Sequence, residues 1–254
     1  MPTADVEQRL RSGDFPGATL ILVETPSNPA LDVCDIAAVA ELAHQQGALL
    51  AVDNTTATPL GQRPLTLGAD IVVASDTKAL SGHSDLLMGH VSVLDEELLS
   101  RIKSWRDQTG SVPGPFETWL THRSLGTLDL RLARQGQNAA ALSEVLAGRP
   151  EVRDVRWPWR VGDRSYAVAS RQMLRPMGVI SATLESAEAV RRLLQASQLL
   201  TAATSFGGLH TTVDRRAQFG DSVSEGFVRI SCGCEDTVDL VQDLGSALSA
   251  SAEH

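Results

Sequence analysis

The chain has 254 residues, 43% of them hydrophobic, a net charge of -9 and three cysteines. Such a chain can bury a substantial core in one large or two smaller domains. Its acidity argues against nucleic acid as the main partner, because phosphate backbones need clustered Lys and Arg. Cys34, Cys232 and Cys234 form no C-x-x-C pair and are odd in number, so free buried thiols in a reducing compartment are expected. No apolar run is long enough to span a membrane, and the first residues lack a signal-peptide pattern, so a cytoplasmic location is expected.

In chain order, residues 19–24 (TLILVE) read as a buried strand followed by the turn-rich T-P-S-N-P. Residues 33–46 read as an amphipathic helix stopped by Gly47. Residues 49–53 (LLAVD) and 70–75 (DIVVAS) are further apolar strands, and residues 88–94 another. Continuous apolar strands separated by helices predict a parallel sheet covered on both faces. Residues 116–146 read as mostly helical, a connector containing Arg123, Arg131 and Arg134. Strands at 179–185 and 227–232, with helices at 188–197 and 237–248, make a smaller α+β unit. The expected division is 1–136 and 137–254.

Several catalytic patterns are missing. There is no G-x-G-x-x-G and no Walker A sequence. Gly82-His83-Ser84-Asp85-Leu86 begins like a nucleophile elbow, but Leu86 stands where the second glycine is needed. The histidines show no metal spacing, so no metal is expected, and His44 and His122 read as surface residues.

One constellation remains. Asn28, Asp53, and the group Ser75, Thr77 and Lys78 follow three successive predicted strands, and open α/β sheets bind ligands at that edge. An amide, a carboxylate, two hydroxyls and a lysine suit a phosphorylated pyridine aldehyde, pyridoxal 5'-phosphate (PLP). Lys78 would form the Schiff base through its neutral amine, a state that burial beside cations favours. Asp53 would keep the pyridine nitrogen protonated, making the ring an electron sink. Ser75 and Thr77 would donate to the phosphate, and Asn28 to the ring hydroxyl. Taken singly, each has a blander reading: a lone lysine is usually a solvated charge, and an aspartate at a strand end usually a cap.

The motifs E-T-P-S-N-P (24–29), V-D-N-T (52–55), S-D-T-K-A-L-S-G-H-S-D (75–85), R-S-L-G-T-L-D-L-R (123–131), T-S-F-G-G (204–208) and F-V-R-I-S-C-G-C-E-D (227–236) resemble the trans-sulfuration enzymes. This is a fold-type-I PLP family with cystathionine γ-lyases, cystathionine γ-synthases, methionine γ-lyases and homoserine sulfhydrylases. The wording is most similar to actinobacterial sequences of the cystathionine γ-lyase group. The resemblance implies an α/β large domain with a mostly parallel sheet, N-terminally truncated, and a smaller α+β C-terminal domain. It implies Lys78 as cofactor lysine and proton shuttle, and Arg229 as the clamp on a substrate α-carboxylate, the blander reading of Arg229 being a salt bridge on a strand. Ser205, in the adjacent loop, would help position the substrate, and His210 is either a substrate contact or an exposed loop residue. The implied reaction is γ-elimination of cystathionine to cysteine, 2-oxobutanoate and ammonia. The rivals are γ-replacement on an activated homoserine, by a synthase or sulfhydrylase, and an inactive fragment serving only in assembly. The implied partner is a small amino-acid substrate, with neither nucleic acid nor membrane, and the implied assembly is a homotetramer of dimers.

Two departures stand out. Family members would carry roughly a third more chain ahead of Met1. That part would hold early strands, a glycine-containing phosphate loop, a ring-stacking tyrosine and residues that reach a neighbouring subunit. The single tyrosine, Tyr166, lies in the C-terminal half. Many members read G-G-x-E-S-L where this chain reads G-G-L-H-T-T, so His210 replaces a glutamate able to meet the distal amino group of cystathionine.

Overall fold

The computed structural model describes residues 1–252. In the first half, helix α1 (Val6–Arg11) precedes strand β1 (Leu20–Glu24), helix α2 (Ile36–Gln45) and strand β2 (Leu49–Asp53). A short helix α3 (Thr58–Gly61), strand β3 (Ile71–Ser75) and strand β4 (Gly89–Val93) follow. The sheet order is β1-β2-β3-β4. The first three strands are parallel, with Leu20 opposite Leu49 and Glu24 opposite Asp53, while β4 runs antiparallel to β3. The apolar runs produce these strands, and parallel neighbours require the intervening helices as crossovers. Helix α2 begins at Ile36 because the Asp35 carboxylate caps it, accepting from the Ala38 amide. Its buried face (Ile36, Val39, Ala43) packs with Val6, Leu10, Val23, Leu50 and Val52 into one core.

The expectation of a sheet covered on both faces holds for β2 but not for β1. Leu50, Ala51 and Val52 are all buried, whereas Leu20 and Leu22 alternate outward and are 50% and 65% exposed. The inward face of β1, Ile21 and Val23, packs against α1 and α2, while its outward face, Leu20 and Leu22, is left open.

Helices α4 (Glu96–Thr109), α5 (Pro115–Leu125) and α6 (Leu128–Ala147) lead into the second half. Strand β5 (Arg153–Arg156), helix α7 (Tyr166–Gln172), strand β6 (Val179–Thr183), helix α8 (Ala187–Ala196), strands β7 (Thr201–Ala202), β8 (Thr212–Arg215) and β9 (Phe227–Ser231), and helix α9 (Thr237–Ala252) complete it. The second sheet has the order β5-β6-β9-β8-β7 and is antiparallel except for the β7–β8 pair. Leu142, Leu146, Ile180, Leu193, Ile230, Leu240, Leu244 and Leu248 form its core. Each such fully buried side chain contributes at most about 2 kcal/mol. Helix α6 runs unbroken through residue 136, with Leu128 and Leu132 on Ala79 of the first half and Leu142 and Leu146 in the second core. The predicted stretch 116–146 is therefore two helices, parted at Gly126 and Thr127.

A polar strap also joins the halves. Arg156 donates to Asp163 and to Asp32, the Val33 amide donates to the Ser165 hydroxyl, and Gln172 meets both the Ile36 amide and the Cys34 carbonyl. All three cysteines are free thiols, and burial raises the Cys34 thiol to about 11. Among the described residues, no helix is long and apolar enough to cross a membrane.

Candidate active site

The loop after β1 is fixed by its own side chains. The Ser27 hydroxyl accepts from the Asp32 amide at 3.0 Å, and the Thr25 hydroxyl from the Cys34 amide at 3.1 Å. Between them, Asn28 presents its carbonyl oxygen to Arg229 Nη1 at 2.6 Å.

At the end of β2, one oxygen of Asp53 accepts from the Thr55 amide at 2.9 Å, an Asx turn. The Thr55 hydroxyl accepts from the Ser75 amide at 2.8 Å, which ties the ends of β2 and β3 together. Thr77 turns away from this edge. Its hydroxyl donates to the Met88 carbonyl at 3.2 Å and accepts from the Met88 amide at 2.9 Å. Its proton is thus spent on the backbone, whereas the Ser75 hydroxyl has no partner among the described residues.

Lys78 sits on a tight turn. The Lys78 amide donates to the Ser75 carbonyl, and the Gly82 amide to the Lys78 carbonyl at 2.8 Å. Arg131, 5% exposed, donates to the carbonyls of Ala79, Leu80 and Ser124 and so clamps this turn from behind. From the second half, residues 204–208 lie directly against it. A Cβ on Gly207, whose φ is +82°, would stand 2.4 Å from the Ala79 nitrogen, so no side chain fits. The Gly207 amide donates to the Ser231 hydroxyl, and Gln135 donates to the Gly208 carbonyl.

The two halves also meet around Lys78, Ser205, Phe206 and Arg229. Lys78 Nζ donates to the Ser205 hydroxyl at 3.2 Å and lies 5.3 Å from the centre of the Phe206 ring. The Arg229 guanidinium lies 4.9 Å from the same ring. Burial, and then the Arg229 charge, push Lys78 below the usual lysine range, toward the neutral amine. Burial, and then the neighbouring Asp53 carboxylate, raise Glu24 to about 7.

His210 is exposed on the wall of a cleft of about 210 Å³, shared with His83, Ser84, Ser205 and Phe206. His44 and His122 are exposed, as expected. Among the described residues, no group of His, Cys, Asp or Glu is arranged to hold a metal ion. The structure therefore brings Asn28, Lys78, Ser205 and Arg229 into one connected set and joins Asp53 to Ser75 at the same sheet edge. Three contributors escaped sequence reasoning. Phe206 was visible inside T-S-F-G-G, and Glu24 was the first letter of E-T-P-S-N-P. Asp214, which accepts from Arg229 at 3.0 Å, had no signal at all.

Residues 4–249 match the sequence pattern of the family described as "Cys/Met metabolism PLP-dependent enzyme". The chain belongs to this family. Among its relatives, the Streptomyces coelicolor protein named "Putative cystathionine gamma-lyase" is 52% identical, over 93% of this chain and 61% of that one. The L-methionine gamma-lyase of Pseudomonas putida is 40% identical, over 96% of this chain and 65% of that protein. The chain thus spans less than two thirds of the length of these curated relatives. Among solved structures, a cystathionine gamma synthase from Xanthomonas oryzae pv. oryzae, in complex with aminoacrylate and cysteine, superposes with a TM-score of 0.93 at 35% identity. The match covers 98% of this chain and 67% of that one. Membership fixes the fold as fold-type-I α/β and the cofactor as PLP.

The donor set fits that group. A lysine amine stands for the aldehyde, and Asp53 has one oxygen without a donor among the described residues for the pyridine nitrogen. The Asn28 amide nitrogen is available for the ring hydroxyl, because Arg229 takes only its oxygen. The Ser75 hydroxyl remains for the phosphate. The Thr77 hydroxyl is bonded to the Met88 backbone in this arrangement, so a phosphate would compete with the Met88 carbonyl for its proton.

Proposed function

We propose that the chain serves a PLP-dependent carbon–sulfur lyase of sulfur amino-acid metabolism, which eliminates the γ-substituent of cystathionine to give cysteine, 2-oxobutanoate and ammonia. The observation that carries this reading is the Lys78 amine, held 3.2 Å from Ser205 with its proton affinity lowered. Bound PLP supplies an electron sink for charge developing at the substrate Cα. Arg229 then holds the substrate α-carboxylate through its planar fork. Lys78, its proton affinity lowered by burial and then by the Arg229 charge, takes the Cα proton; a second proton leaves Cβ, and the γ-sulfur departs protonated as the thiol of cysteine. The Ser205 hydroxyl, which Lys78 meets, steers the amine. Asp53 balances the positive charge of a protonated pyridine nitrogen, Asn28 bonds the ring oxygen, and Ser75, with Thr77 behind it on Met88, serves the phosphate end. His210 borders the substrate's distal end. The functional unit is a homo-oligomer in this reading, supported by the stacked and exposed Phe116 and Trp119 on α5.

Replacing Lys78 by Ala tests the reading. The chain is purified with PLP and dialysed, and its visible absorbance is recorded beside the variant. A violet-edge band present in the wild type and absent from Lys78→Ala is expected, with turnover lowered on the order of 10²- to 10⁴-fold. A band that survives the substitution removes Lys78 from its role.

γ-Replacement is the second reading. It is favoured by His210, an imidazole where elimination of cystathionine would profit from a carboxylate, and by a 38% identical cystathionine gamma-synthase of Mycobacterium tuberculosis. Release of 2-oxobutanoate from cystathionine, set against thiol incorporation into an O-acyl-homoserine, separates the two.

A further inference from the structure

Behind Arg229 lies a chain of alternating charges that the proposed reaction leaves unused. Asp214 on β8 is the direct cross-strand partner of Arg229 on β9, so both side chains stand on the same face of the sheet. Both are only 2% exposed. One oxygen of Asp214, Oδ2, accepts from Arg229 Nη2 and also from Arg216 Nη1, each at 3.0 Å. Arg216, on the 3₁₀ turn after β8, donates through Nε to Asp221 at 2.6 Å and lies 5.8 Å from the Phe219 ring. Its side chain is 19% exposed. The sequence Arg229, Asp214, Arg216, Asp221 therefore runs from the buried site to the surface with signs alternating and cancelling.

Arg229 is not saturated. Nη1 is held by Asn28 and Nη2 by the Thr204 carbonyl and Asp214, while Nε, although buried, has no partner among the described residues. One Nη1 hydrogen is unclaimed, and an incoming carboxylate would take further donors only by displacing the Asn28 or Thr204 oxygen. The cost of admitting that second anion depends on how much of the Asp214 charge Arg229 alone must balance, and Arg216 takes a share of it through the same oxygen. The wider electrostatics agree: after burial, the groups acting on the Arg229 guanidinium are Asp214, Arg216, Asp221 and Glu24 in that order.

We infer that Arg216 is a positioning residue which, acting through Asp214, sets how tightly Arg229 holds a ligand carboxylate. The inference rests on the proposal that Arg229 reads the substrate α-carboxylate. Without Arg216, the whole Asp214 charge falls on Arg229, draws its Nη2 inward and repels the incoming anion. With it, the Arg229 edge is held in place and partly released.

The test uses the full chain loaded with PLP and two probes, L-norleucine and L-norleucinamide, which differ only in the carboxylate. Binding is measured by calorimetry, with no turnover required. The wild type is expected to prefer the carboxylate. Arg216→Gln is expected to weaken norleucine about tenfold and leave norleucinamide unchanged, and Arg216→Lys, which keeps the charge, to stay within about twofold of wild type. In an Asp214→Asn background, adding Arg216→Gln is expected to cost no more than about twofold, because the carboxylate charge that the two arginines share is gone and only the direct effect of Arg216 on Arg229 remains. Equal losses for both probes would mean a merely structural role and overturn the inference, as would an undiminished affinity for norleucine or a further tenfold loss in the Asp214→Asn background. A wild type that does not distinguish the probes would overturn the carboxylate role of Arg229 itself, and the inference with it.

Discussion

Glu24 shows how one side chain can carry opposing demands. It lies beside Asp53 in register, and burial together with that second carboxylate raises it to about 7. A carboxyl whose folded value lies above its unfolded value of 4.5 binds more protons in the native state between those two pH values. Its ionisation therefore costs no stability below about pH 4.5, costs progressively more as pH rises to about 7, and costs a constant amount above. Glu24→Gln is expected to stabilise the dialysed chain at pH 8 by on the order of 1–2 kcal/mol, allowing for partial exposure of the group, and to do nothing at pH 4. Urea midpoints at the two pH values check this, and an equal effect at both would refute it. Bound PLP would place a cation beside Asp53, so the same substitution should gain less in the loaded chain.

At the scale of elements, the site depends on two backbones lying in contact, the Lys78 turn and residues 204–208. Gly207→Ala forces a Cβ into the Ala79 nitrogen from a left-handed backbone position, an overpacking expected to cost about 2 kcal/mol or more. A urea midpoint at or above wild type would show that the loops can part freely. The sequence made the first half legible because β1, β2 and β3 are apolar runs closed by polar strand ends, and residues 49–53 form β2 as read. Helix α4 was not legible: its sequence EELLSRIKSWRDQT buries no residue, so no apolar stripe announces it. Strands β5, β7 and β8 are four residues or fewer and end in arginine or lie exposed, too short to show a period. The roles of Lys78 and Asp53 follow from order along the chain. The Thr77 hydroxyl bonded to Met88 and the Asp214–Arg229 pair depend on partners 11 and 15 residues away, which no local pattern encodes.

Over the whole molecule, apolar surface is unevenly distributed. Phe116 and Trp119 stack on α5 while 65% and 57% exposed, an apolar pair that in water favours association. Sedimentation of the loaded chain is expected to show mass rising with concentration and Trp119→Arg to reduce that rise; a monomer at every concentration would remove the homo-oligomer reading. The two cores, by contrast, are separate and are joined by α6, by the polar strap around Arg156 and Asp163, and by small apolar clusters that pack Leu31 on Met177, Val179 and Phe206, and Val33 and Ala57 on Ala169 and Met173. Asn28 meets Arg229, and Lys78 meets Ser205, only across that joint. Neither half alone therefore owns the site, and a loaded chain would carry its own folding gauge. Denaturant that loosens the charged strap should bleach the cofactor colour while the far-ultraviolet helix signal of both cores persists.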